Sequence, residues 1–99
     1  MQYFTIQKEY NAYDLCEKLL GYGNDDTDSI IELAQEFSLE SELLDLVDIN
    51  IGENVELHEI TQDIQDNMRE YVEHLRENMK DHEEWEIEEF EERIKDLGL

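Results

Sequence analysis

Apolar positions along this chain recur mostly at helical spacing, and the exceptions are short. In Gln2–Gln7, Tyr, Phe, Thr and Ile alternate loosely, which predicts a short strand. Asn11 is placed to cap a helix through "AYDLCEKLL", which Gly21 ends. After the turn-forming "GYGNDDTD", a second helix is expected to be capped by Thr27, Asp28 or Ser29. Its apolar face is Ile30, Ile31, Leu33, Ala34 and Phe37. Ser38 reads as a turn and the next cap. A third helix then buries Leu39, Leu43, Leu44, Leu46 and Val47. "DINIGENVELHEI" alternates through Ile49, Ile51, Val55 and Leu57 about Gly52-Glu53-Asn54, the pattern of a small hairpin.

From Thr61 to near Leu97 the spacing is helical. Ile64, Met68, Tyr71, Leu75 and Met79 share one sector at about 100° per residue, and Ile87, Phe90, Ile94 and Leu97 share another. One straight helix cannot aim both at one core, so a break is expected near Asp81–Trp85, with Asp81 and Glu84 as a capping box. The expected fold is mainly α (α+β). It has three short helices, a small β hairpin and a C-terminal helical pair or kinked long helix. The 99 residues form one acidic domain, divided into a helix-turn-helix-like part over 11–60 and an acidic helical part over 61–99.

Charge changes the picture. Asp and Glu number 29 against 7 Lys and Arg, a net −22. Such a chain repels nucleic acid and acidic membrane surfaces, and the partner it implies is basic. The apolar fraction of 39% is enough for a folded domain. A lone Cys16, no basic-then-apolar leader in "QYFTIQKEY" and no membrane-length apolar run point to a cytoplasmic protein.

Leu33-Ala34, Phe37, Leu39, Leu44 and Val47 resemble the packing positions of a helix-turn-helix. With the expected hairpin, Asn11–Ile60 resembles a winged helix, although Ser38 stands where that family usually has Gly. The helix that would read DNA offers Glu40, Glu42, Asp45 and Asp48, and no Lys or Arg lies between Lys18 and Arg69. DNA readers need Arg, Lys, Asn or Gln there, so DNA is not the ligand.

The carboxylates are ordered instead. Asp28, Glu32 and Glu36 are four apart, stacked about 6 Å from one another on one helix face. Asp63, Asp66, Glu70, Glu73 and Glu77 form a second stripe, and Glu83, Glu84 and Glu88 a third group. Phosphates along a DNA strand lie roughly 6–7 Å apart through space. A helix row of carboxylates can therefore imitate them. Arg69, Arg76 and Lys80 follow Asp66, Glu73 and Glu77 by three residues and are expected to pair with them. Trp85 sits among glutamates, to be read as core or, if exposed, as an interface anchor.

In size, helical content and rows such as "DHEEWEIEEFEE", the chain resembles the small phage anti-restriction DNA mimics and acidic anti-CRISPR proteins. The resemblance implies a stoichiometric inhibitor of a host defence nuclease or CRISPR complex, acting in the host cell, with the three carboxylate groups and Trp85 as its partner-binding residues. The alternative is a winged-helix-like adaptor or regulatory subunit that binds a protein through apolar contacts. A binder of basic histone-like or chaperone-client proteins is a third reading. A homodimer would lengthen the charged surface, and nothing requires one.

Other chemistry finds little support. His58, His74 and His82 lack zinc spacing, and "NDDTDSIIE" lacks the glycine and final glutamate of a calcium loop. Cys16 lies among Leu15, Leu19 and Leu20, which favours burial over nucleophilic work. No catalytic constellation or Gly-rich phosphate loop is present. The expectation is a non-enzyme without metal or cofactor.

Overall fold

The computed structural model describes residues 4–5, 11–51 and 54–99, with side chains placed over 11–49 and 55–99. The chain is mainly α. Its described elements, in order, are β1 (Phe4–Thr5), α1 (Ala12–Leu19), α2 (Asp25–Glu36), α3 (Glu40–Ile51), β2 (Asn54–Val55), α4 (Leu57–Asp66), α5 (Met68–Asn78), a 3-10 turn (Met79–Asp81) and α6 (Glu84–Asp96).

Caps explain most of the boundaries. The Asn11 side chain accepts the Tyr13 N–H at 2.8 Å and starts α1. Gly21, at φ 91, turns the chain after α1 ends. The cap of α2 is Asn24, not Thr27, Asp28 or Ser29. Asn24 accepts the Thr27 N–H at 2.9 Å and places Asp25, Asp26 and Asp28 in the first turn, where the helix dipole favours anions. Thr27 is thereby drawn into the core, its hydroxyl donating to the Gln65 side chain at 2.9 Å.

Ser38 makes the α2–α3 turn, with φ 58. The Leu39 N–H reaches the Ala34 carbonyl at 2.7 Å and the Ser38 N–H reaches Gln35 at 3.3 Å, which closes α2 in a Schellman motif. Leu39 is thus buried against the helix it has just left. This is the part of the helix-turn-helix pattern that the fold keeps.

The expected hairpin does not form. Ile49 and Ile51 belong to α3. Extending an existing helix adds a hydrogen bond per residue without a new nucleus, and that outweighs four residues of alternation. Asn54–Val55 pairs antiparallel with Phe4–Thr5 instead, in the register Phe4 with Val55 and Thr5 with Asn54. The hairpin's Gly52 and Glu53, and most of the Gln2–Gln7 strand, fall outside the described residues. The chain then enters α4 at Leu57, where the Glu59 carboxylate accepts the Glu56 N–H at 3.4 Å. With Ile49 and Ile51 in a helix and Asn54–Val55 paired with Phe4–Thr5, the winged-helix expectation fails.

The C-terminal region is three helices rather than a pair or one kinked helix. The expected break occurs as the Met79–Asp81 turn. The capping residue, however, is Glu83, and Asp81 lies inside the 3-10 turn. The other break, at Asn67, was not expected. Its side-chain amide donates to the Asp63 carbonyl at 3.0 Å and to the Asp63 carboxylate at 3.1 Å. The amide thus competes with the helical backbone, as Asn does in helix interiors.

The core collects Leu15, Leu19, Ile30, Ile31, Leu43, Ile60, Ile64, Tyr71 and Leu75 from the first five helices. Phe90 and Ile94 dock α6 onto it. The Phe90 ring meets Phe37 at the end of α2 edge-to-face, with centroids 5.7 Å apart. Cys16 is buried in the same core, and that burial pushes its thiol up to about 12.

Two outcomes follow. Ser38→Gly removes the cost of a left-handed L-residue and should stabilise the fold by about 1 kcal/mol, read as a rise of about 4–8 °C in Tm. Protonated Cys16 is favoured by folding. Its contribution is therefore intact below the ordinary pKa of 9.0 and is lost as pH rises toward 12. Denaturant midpoints should fall across that range in the parent and fall less in Cys16→Ala.

Candidate partner-binding surface

Two ion pairs join α6 to the other acidic helices. The Arg93 guanidinium, on one flank of α6, bonds the Glu36 carboxylate on α2. On the other flank, Glu91 receives a fork from Arg76 on α5: Nε at 2.6 Å and Nη2 at 3.0 Å. α6 is therefore tied to α2 on one side and to α5 on the other. The three stripes read separately from sequence lie on adjoining helices.

The outward face of α6 was only partly anticipated. At about 100° per residue, Trp85, Glu88, Glu89, Glu92 and Asp96 fall within a sector of about 100°, opposite Phe90 and Ile94. All five are exposed. Glu89, Glu92 and Asp96 complete a ridge begun by Glu88 and were missed. The signal was available in their spacing from Trp85, but the dense glutamates of this stretch hide any periodicity of charge. Trp85 is 61% exposed, so the core reading fails for it. Its indole N–H donates to the Glu83 carboxylate at 2.9 Å.

On α2, Glu32 is exposed, while Asp28 is half-buried and accepts the Gly21 N–H at 3.1 Å. Glu36 is occupied by Arg93. On α5, Glu70 is exposed, Glu73 bonds Arg76, and Glu77 bonds Lys80 at 2.8 Å. The Glu77–Lys80 pairing holds the carboxylate below, and the ammonium above, their ordinary ranges. Hydrogen bonding to Glu91 raises the Arg76 pKa further, and the expected pairing with Glu73 is present beside it. Arg69 lies beyond the Asn67 break, and Asp66 accepts instead from Gln62 at 2.9 Å.

Asp63 departs from its expected place in the stripe. It is half-buried, accepting from Asn67 and from the Tyr71 hydroxyl, which ties the α4–α5 junction together. Asp63 is a structural residue, and Asp66 belongs to α4 rather than to the face built around α6.

On α3, Asp45, Asp48 and Ile49 are exposed, Ile49 at 77%. The helix that would have read DNA therefore faces outward with acid and one isoleucine. Among the described residues no three His, Cys, Asp or Glu side chains converge as metal ligands would, and no helix is long and apolar enough to cross a membrane. Comparison with protein families, characterised proteins and solved structures finds no match.

Because Arg76 and Arg93 hold α6, replacing both with Met should loosen that helix first. Amide exchange over 84–96 should accelerate about five- to tenfold, with α1–α4 little changed, since two half-exposed bridges contribute about 1 kcal/mol. Hydrogen-exchange mass spectrometry reads the difference.

Proposed function

We propose that this chain is a stoichiometric protein inhibitor that occupies the basic nucleic-acid groove of a host defence nuclease or CRISPR-type complex. It presents carboxylates where that protein receives phosphates. The observation that supports this reading is the attachment of α6 to both α2 and α5, which sets Glu32, the α6 ridge and Glu70 on neighbouring helices, with Glu73 and Glu77 beside them in pairs with Arg76 and Lys80. Successive carboxylates on one helix face are about 6 Å apart along the axis, close to the phosphate repeat. A flexible acidic tail would supply the same charge but would lose its freedom on binding. Helices have already lost theirs.

Binding would gain from steering by the −22 charge and from counterions released by the partner's groove. It should weaken with salt. No catalytic step is involved: the inhibitor acts by occupancy, one copy per groove.

The test is capture of partners from lysate on the immobilised chain, with and without excess duplex DNA. A nucleic-acid-binding protein competed away by DNA is the expected result. Glu32→Lys, Glu88→Lys and Glu92→Lys together should weaken its capture at least about tenfold with helicity retained. These positions are chosen because they are exposed. Glu36→Lys would also break the bridge to Arg93. A partner indifferent to DNA and to these reversals would overturn mimicry in favour of an adaptor.

A further inference from the structure

Trp85 is the only tryptophan of the chain, and it is set on the outside of an acidic helix. The ring's polar edge is satisfied: its N–H is held by Glu83, at the residue that starts α6. What remains for a partner is the π face. One turn on, Glu88 and Glu89 stand three and four residues away, on the same side and exposed. The basic side chains of this chain nearest in sequence are engaged elsewhere. Lys80 is held by Glu77 at 2.8 Å, His82 lies 3.2 Å from Glu86, and Arg93 is bonded to Glu36.

A large aromatic face beside two carboxylates fits one side chain better than any other. A guanidinium is planar and weakly hydrated, stacks on indole, and still has in-plane N–H groups to give a carboxylate. An ammonium satisfies the charge but not the stack. A phosphate or a nucleobase bearing phosphate would meet the carboxylates head-on. An apolar partner would leave Glu88 and Glu89 to be desolvated unpaired.

We propose that Trp85 is an arginine platform: an Arg presented by the partner stacks on the indole and donates to Glu88 or Glu89. The protein that supplies this arginine rests on the inhibitor reading above; the preference for arginine over lysine does not. The carboxylate rows give charge without discrimination, and the platform adds chemical choice at the end of the ridge. It selects basic surfaces built on arginine.

The full-length chain can be titrated with two peptides of equal length and charge, one alternating Gly with Arg and one alternating Gly with Lys. Calorimetry gives the affinities, and Trp85 emission reports stacking. The arginine peptide should bind about two- to fivefold tighter and perturb the emission, whereas the lysine peptide should leave it nearly unchanged. Trp85→Leu should bring arginine affinity down to the lysine level without altering the latter, and Trp85→Tyr should restore part of the difference. Circular dichroism checks that the helices persist. Equal affinities in the parent, or an arginine preference that survives in Trp85→Leu, overturns the platform. If the preference holds while lysate capture gives no DNA-competed partner, the inhibitor reading fails and the platform stands. If capture succeeds without the preference, the reverse is true.

Discussion

Everything in this fold is arranged around a shortage of positive charge. With 29 acidic side chains and 7 lysines and arginines, most carboxylates cannot be paired. The cations therefore matter by position. Arg76 and Arg93 are spent where α6 must be held, one on α5 and one on α6. Without them, α6 would rest on Phe90, Ile94 and the half-buried Ile87 and Leu97, with glutamates repelling those of α2 and α5. Each bridge is modest in water, but each also removes a carboxylate from the repulsion at its junction. These two contacts join the acidic face of α6 to those of α2 and α5.

The helix caps and the α2–α3 and α4–α5 corners manage without charge pairing. Helix ends use neutral or acidic caps, and anions crowd the first turns, where the dipole tolerates them: Asp25, Asp26 and Asp28 on α2, Glu84 and Glu86 on α6. The α2–α3 corner is closed by backbone hydrogen bonds around a serine in left-handed geometry. The α4–α5 corner uses Asn67, Asp63 and Tyr71. In each case a hydrogen bond does what a salt bridge does in a balanced protein. Asp63 shows the consequence for function: a carboxylate in register with an outward stripe is turned to internal use by the first donor it meets.

How much of this was legible in the sequence depends on the kind of signal. Apolar spacing located α1, α2 and the break before α6, because Ile64, Tyr71 and Leu75 cannot share a core-facing sector with Phe90 and Ile94 on one straight axis. The exposed face of α6 was half visible. Glu88 was named, while Glu89 and Glu92 were lost in a run where nearly every position is acidic. The hairpin failed because Ile49 and Ile51 alternate for too short a distance to oppose a helix already under way. The break at Asn67 left no apolar trace, since the stripe continues across it from Ile64 to Tyr71. Least legible were Arg76–Glu91 and Arg93–Glu36, pairs 15 and 57 residues apart, because tertiary partners are not encoded in local period.

The same charge that defines the surface sets a limit on the free protein. Carboxylates on adjoining helices repel, and holding them in rows stores that repulsion in the folded state. A basic partner relieves it, so neutralisation on binding adds to the contact energy rather than merely offsetting desolvation. Rigidity is what makes that relief available. A disordered acidic chain would spread its charges apart before binding and have little to recover. A helical scaffold keeps them close, and the Phe37–Phe90 contact packs α6 against the end of α2. On the inhibitor reading proposed above, a repulsive charge distribution would be part of the affinity. It costs stability in solution, and added salt, which steadies the free chain, would weaken the proposed hold on a basic groove.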